Sequence, residues 1–147
     1  MAAVIITSVL FVIFDRFLKV LAYQYFTGNA VSLVGGILSY SFAENYRIAF
    51  SLPLSGSILH VLVFLMIIIL LFAWLGQIKK QRFDIAAALT FIIIGAISNL
   101  LDRWLYGFVI DYFNLKYFTV FNIADMMITG GVLAILFITI KGRGKCS

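Results

Sequence analysis

Four predominantly apolar stretches, roughly residues 3–22, 57–75, 85–105 and 120–140, leave this chain few ways to fold. Each approaches the ~20 residues a helix needs to cross a bilayer. Charged residues make up 12% of the chain, about half of what a soluble domain carries, and 64% of it is hydrophobic. Too little polar surface remains to coat a globule in water, so the expected solvent is lipid. At 147 residues the chain accommodates one integral-membrane domain, 1–147, with no appended soluble module.

The net charge of +5 invites a nucleic-acid reading, but the distribution of the charge removes it. Lys79, Lys80 and Arg82 fall in one short polar break, and Lys141, Arg143 and Lys145 in the tail. That is the positive-inside pattern of cytoplasmic segments. No basic face with interleaved aromatic residues is left for nucleic acid. Both termini are then expected in the cytoplasm, with residues 23–56 and 106–119 outside. The N-terminus lacks the basic start of a secretory signal, and Asp15, Arg16 and Lys19 interrupt it early, so it reads as a retained first span. The single cysteine, Cys146, can form no internal disulfide, and no Cys/His set with zinc spacing occurs. No metal and no cofactor are expected.

Residues 28–55 carry a different period. Leu38, Tyr40 and Phe42 alternate with Ser39, Ser41 and Ala43, and Tyr46, Ile48, Phe50 and Leu52 alternate with Arg47, Ala49 and Ser51. Two period-two runs on either side of Glu44-Asn45 suggest a hairpin on the outer surface, punctuated by Gly35-Gly36 and Pro53. The aromatic residues Trp74, Trp104, Tyr106, Tyr112 and Tyr117 sit near expected span ends and read as an interfacial belt. His60, near the outer end of the second span, reads as an interface residue.

The acidic residues carry the functional signal. A carboxylate near a bilayer core costs ~2.5–3.5 kcal/mol on insertion scales, so each needs a reason to be there. Asn99, Asp102 and Arg103 share one face of the third span by i, i+3, i+4 spacing, and Asn99 would lie about 22 Å above the inner end. Asp125 falls near the outer end of the fourth span, Asp111 in the outer connection, and the i, i+4 pair Asp15 and Lys19 in the outer half of the first. Polar residues from separate segments thus converge at one depth. Each also has an ordinary reading. Asp15 and Lys19 can be an ion pair joining helices, Arg103 can neutralise Asp102 or reach headgroups, and Asp111 can be a loop carboxylate. Asp125 is harder to dismiss, because no basic residue is near it in sequence and it needs a partner across the fold or a raised pKa.

At these residues the chain resembles the lipoprotein signal peptidases (signal peptidase II), an aspartyl peptidase family. Asp15 to Lys19 resembles the family's first-span Asp-x-x-x-Lys box. Asn45, Ala49 and Phe50 resemble an Asn-x-Gly-x-Ala-Phe segment. Gly95, Asn99, Asp102 and Arg103 are similar to a Gly-rich Asn-x-x-Asp-Arg box. Residues 109–113, with Asp111, look like a Val-x-Asp-Phe box, and Asn122, Ala124 and Asp125 match Phe-Asn-x-Ala-Asp. All five lie in family order. Arg47 stands where the second box has glycine, and Ile94 and Ser98 stand where the third is often glycine, which implies looser helix packing there.

The resemblance implies an all-α membrane protein of four transmembrane helices with a small β-cradle on the outer face. It implies an endopeptidase of the bacterial cytoplasmic (inner) membrane that removes the signal peptide from diacylglyceryl-modified prolipoproteins, cutting just before the lipidated cysteine. Asp111 and Asp125 would be the catalytic pair. Asp15, Lys19, Asn45, Phe50, Asn99, Asp102, Arg103, Asn122 and Ala124 would support it or contact substrate, with Asn45 and Phe50 clamping from above. The partners would be the prolipoprotein and membrane lipid, and nothing demands more than a monomer. The residues alone leave other classes open: a small proton-coupled transporter using Asp125, a non-enzymatic scaffold or inactive homologue, or a Ser–Lys peptidase using Lys19 and Ser51.

Overall fold

Gly35 and Gly36 both adopt positive φ, 48° and 72°, and the Ile37 amide donates to the Val34 carbonyl across them at 2.8 Å. Two consecutive left-handed residues make the tight turn whose twist matches paired antiparallel strands. The turn joins β1 (Ala30–Val34) to β2 (Leu38–Asn45) in the computed structural model, which describes residues 1–46 and 57–143. The glycine pair is therefore the hairpin turn itself, and Glu44-Asn45 is strand, not turn, which corrects the expected hairpin. Beyond Tyr46 the second alternating run lies outside the described residues, as do Arg47, Ala49, Phe50, Ser51, Pro53 and Cys146.

The outer connection at 106–119 is also strand. β3 (Val109–Leu115) pairs antiparallel with β2, and β4 (Val120–Phe121) pairs with β3, giving a four-stranded sheet in the order β1-β2-β3-β4. The run Val109, Ile110, Asp111, Tyr112 is buried throughout, so it shows no two-sided alternation and reads as loop or helix end. Tyr40, Phe42, Phe108 and Tyr112 pack beneath the sheet with Phe26 from the end of the first helix.

The helices are α1 (Ala2–Tyr25), α2 (Ser57–Lys79), α3 (Phe83–Tyr106) and α4 (Ile123–Arg143). Three of them, α2, α3 and α4, are long and apolar enough to cross a membrane by length and composition. The expected set was four. α1 is long enough, but Asp15, Arg16 and Lys19 fall together in its sequence. The fourth apolar stretch starts later than expected, because Val120 and Phe121 are strand and Asn122 precedes the helix. Much of the helix surface is apolar and exposed, including Leu10, Phe14, Phe64, Phe72, Leu136 and Ile140. Apolar surface of that extent is what a lipid environment accommodates and water does not.

α3 is the central helix and touches the other three. It ends at Gly107, whose φ of 84° places it in the left-handed region, with its amide donating to the Arg103 carbonyl. α4 lies close against it because two glycines permit the approach. A Cβ at Gly95 would fall 2.7 Å from the Ala124 carbonyl, and one at Gly131 would fall 2.7 Å from the Ala88 carbonyl. Small residues at a helix contact bring backbones together in lipid. The packing at Ser98 is not loosened as the sequence suggested, since Ser98 is buried and its hydroxyl donates to Asp15 at 2.9 Å. On the α1 side of this contact an apolar groove of about 670 Å³ is lined by Phe11, Phe14, Phe91, Gly130 and Ala134, with Phe113 and Ile123 at its sheet end.

Gly131→Val should lower the thermal unfolding midpoint in detergent by the equivalent of about 1–3 kcal/mol, the cost of overpacking. Gly130→Ala, where nothing lies within 4 Å of the added carbon, should leave it nearly unchanged. Equal effects at the two positions would show that the close contact does not hold α4.

Candidate active site

Helix α4 begins with unpaired backbone amides, as every helix does. Here three separate groups answer them. The Ile123 amide donates to the Tyr112 hydroxyl at 3.0 Å, the Ala124 amide to Asp15 Oδ1 at 3.4 Å, and the Asp125 amide to Asn122 Oδ1 at 2.8 Å. Asp125 Oδ2 accepts the Asn122 backbone amide in return, at 3.3 Å. This is a reciprocal capping box, with asparagine at the cap and an acid three residues on. The spacing of Asn122 and Asp125 therefore fixes one aspartate by local chemistry.

Asp111 is placed by the sheet. Its register partner on β2 is Ala43, a small residue, while Asn45 pairs with Val109 and so lies diagonal to Asp111. From there Asn45 Nδ2 donates to Asp111 Oδ2 at 2.9 Å, and Asn122 Nδ2 donates to Asp111 Oδ1 at 2.6 Å. Asn122 thus touches Asp111 through its side chain and Asp125 through its backbone. Asn99 completes the link, donating to Asp125 Oδ1 at 2.7 Å while its own oxygen accepts from Lys19 at 3.0 Å and Asn122 at 3.2 Å. Both asparagine amides have every atom assigned by these contacts.

Asp111 is 2% exposed. Burial and then the neighbouring Asp125 charge push its carboxyl up to about 7, against the opposing pull of the Asn45 and Asn122 amides and of Lys19. An acid that holds its proton near neutral pH beside a second carboxylate is an arrangement able to serve acid–base chemistry. Arg103, whose Nη1 donates to the Asn99 carbonyl at 3.3 Å, acts electrostatically on both aspartates and on Asp102.

Behind the pair lies a buried cluster of two carboxylates and two cations. Lys19 bridges Asp15 at 3.0 Å and Asp102 at 2.7 Å, and Arg16 pairs with Asp102. Asp102 Oδ2 also accepts the Ile110 amide at 3.3 Å, one residue from Asp111. Asp15, Lys19 and Asp102 are at most 1% exposed. Opposite charges paired in this way can be buried where a single one could not.

The structure thus gathers Asp15, Lys19, Asn45, Asn99, Asp102, Arg103, Asp111, Asn122, Ala124 and Asp125 around one site, and Phe50 lies outside the described residues. Asn45 holds Asp111 directly, a contact the sequence did not disclose. Three participants were missed. Arg16 was passed over as a charge beside Asp15, and Ser98 as a replaced glycine. Tyr112 was read as a belt aromatic, yet it is fully buried, with its hydroxyl on Asp15 Oδ1 at 2.9 Å. The one available signal was that Tyr112 adjoins Asp111 in an otherwise apolar buried run.

A family model described as signal peptidase (SPase) II matches residues 7–141. A lipoprotein signal peptidase of Caldicellulosiruptor bescii is 35% identical over 138 residues, covering 90% of this chain and 87% of its own. A lipoprotein signal peptidase of Syntrophomonas wolfei is also 35% identical, covering 91% of each chain. Among solved structures, a bacterial membrane enzyme determined in meso at 2.3 Å matches with a TM-score of 0.86 and 26% identity, over 100% of this chain and 93% of that one. A second, at 1.9 Å, matches with a TM-score of 0.80 and 28% identity, over 96% and 94%.

The raised Asp111 carboxyl has a consequence for stability. Its folded pKa of about 7 exceeds the unfolded value of 3.8, so the folded state holds more protons between them. Its contribution to stability is present below the unfolded value and is lost as pH rises through about 7. Wild type should lose about 1–4 kcal/mol more stability than Asp111→Asn between pH 5 and pH 8. Parallel unfolding-versus-pH curves for the two proteins would show that Asp111 is not a buried acid of this kind.

Proposed function

The chain belongs to the signal peptidase II family, proteases of lipoprotein processing, and from that we propose an aspartyl endopeptidase in which Asp111 and Asp125 activate water. The substrate in this reading is a diacylglyceryl-modified prolipoprotein, cut on the N-terminal side of its lipidated cysteine. The observation that carries it is the pair itself. Two carboxylates from separate elements are held by one asparagine, Asn122, in a poorly hydrated site at the sheet end of the helices.

Two such acids cannot both ionise cheaply, so they share one proton near neutral pH. The ionised member takes a proton from a water lying between them. The protonated member donates to the peptide carbonyl oxygen as the tetrahedral intermediate forms, and a proton then passes to the leaving amine. The apparent pKa values belong to the pair, not to either residue. Asn45, Asn99 and Asn122 hold the carboxylates by donating to them, and the charge of Arg103 offsets the single negative charge they share.

We read α1 as a fourth span. Asp15 and Lys19 are buried against α3 and α4, and what α1 presents outward is Ile6, Leu10, Ile13, Phe14, Phe17 and Val20. Its surface is therefore apolar although its sequence is not uniformly so. With the basic break at 79–82 inside, both termini are cytoplasmic, and the sheet and the aspartate pair lie at the outer face of the inner membrane. Substrate acyl chains and the signal helix approach such a site from lipid, and the groove ending at Phe113 and Ile123 reaches its level. The family leaves the transport reading without support.

Purified protein should release the signal peptide from a diacylglyceryl-modified prolipoprotein and leave the unmodified precursor intact. Asp111→Asn and Asp125→Asn should each lower the rate by about 10²–10⁴-fold, the usual worth of an acid or base. Cleavage that survives both changes would remove the pair and reopen a serine mechanism. Folded wild type that cuts no prolipoprotein would point to an inactive homologue. The rate should also fall above about pH 7, where the second proton leaves the pair.

A further inference from the structure

We propose that Tyr112 is a positioning residue, whose buried hydroxyl fixes the two catalytic aspartates relative to each other. Successive residues of a strand point to opposite faces, with Cα atoms about 3.8 Å apart. On β3, Asp111 faces Asn45 and Asn122, and Tyr112 faces the core beneath the sheet. Whatever anchors the Tyr112 ring therefore anchors the backbone that carries Asp111.

The anchor is made at the other aspartate's helix. The Tyr112 hydroxyl accepts the Ile123 amide at 3.0 Å, at the first residue of α4 and two before Asp125. It donates to Asp15 Oδ1 at 2.9 Å, and that same oxygen accepts the Ala124 amide at 3.4 Å. One oxygen atom thus ties β3, α4 and α1 together. Burial first, and then the Asp15 carboxylate, push the phenol well above its ordinary range, so it keeps its proton and its donor role. The ring is fixed too, with Tyr40 at 5.6 Å and Phe113 at 4.9 Å between centroids. Asn122 makes a second link between the aspartates, so loss of the hydroxyl loosens the pair without separating it. The bridge therefore tunes an activity that does not depend wholly on it.

Tyr112→Phe removes one oxygen and leaves the ring. The Ile123 amide loses its acceptor and α4 gains freedom to shift against β3. The kcat should fall about five- to tenfold with KM unchanged, the worth of one buried hydrogen bond acting in the chemical step. The alkaline limb of kcat/KM should move to lower pH by a few tenths of a unit, because a looser pair repels less and gives up its second proton sooner. Among the described residues, the charged groups around the pair are Asp15 and Lys19 from α1 and Asp102 and Arg103 from α3, with Arg16 behind them on Asp102. All of these remain in the variant, so the limb reports the spacing of the pair.

The inference rests on the reading of Asp111 and Asp125 as the catalytic pair, and the two fail differently. If Asp111→Asn and Asp125→Asn leave cleavage intact, that reading is lost. If they abolish cleavage while Tyr112→Phe leaves kcat and the alkaline limb unmoved, only the positioning role is lost. A lower unfolding midpoint with no limb shift, or a raised KM with kcat intact, would also overturn it. Should Tyr112→Phe not fold, 4-aminophenylalanine at position 112 keeps a donor toward Asp15 but offers the Ile123 amide a far weaker acceptor. A lower kcat with a limb shift there supports the role, and neither change overturns it.

Discussion

A carboxylate cannot sit unpaired among apolar helices, and most of this structure is arranged around that constraint at Asp15. This one side chain takes hydrogen bonds from Ser98 on α3, Tyr112 on β3 and the Ala124 amide on α4, and it pairs with Lys19 on its own helix. Each partner comes from a different element, so satisfying the charge assembles the fold. Lys19 extends the arrangement to Asp102 and Asn99, and Asp102 extends it to the amide of Ile110. Two positive and two negative groups balance, and the cluster withdraws from lipid as a neutral unit. Replacing such a cluster with apolar residues need not weaken a fold, so its value here is geometric: it sets where α1, α3, β3 and α4 meet.

That meeting point is where Asp111 and Asp125 lie. Asp111 and Asp125 have amide donors but no carboxylate-to-cation contact at bonding distance among the described residues. The protein therefore treats these four aspartates in two ways. Asp15 and Asp102 are given cations and form structure. Asp111 is given neutral amides and a neighbouring carboxylate, which leaves its proton affinity raised to about 7. The difference between cation-paired and amide-held carboxylates is a difference in partners and not in residue type. The asparagines enable it, because they orient an acid without fully stabilising its charge.

Several features were legible in the sequence because they are local. The apolar stretches gave the helices, and alternation from Leu38 to Ala43 gave β2. Asn99, Asp102 and Arg103 at helical spacing gave the polar face of α3. The strand at Val109–Leu115 was not legible, because a short run buried on all sides carries no period. The role of Tyr112 was hidden for the same reason, since an aromatic residue near a helix end has an interfacial explanation ready.

The sequence by itself determined the membrane-protein character of this chain, the polar residues that interrupt its apolar stretches, and the family it resembles. Hydropathy, helical spacing and box order are properties of residues near one another in the chain. The tertiary structure alone decided which acid receives a cation and which receives an amide, that Asn45 holds Asp111, and that one tyrosine hydroxyl joins three elements. These depend on contacts between residues tens of positions apart, where burial and electrostatics act over a few ångströms of space and leave no period in the sequence.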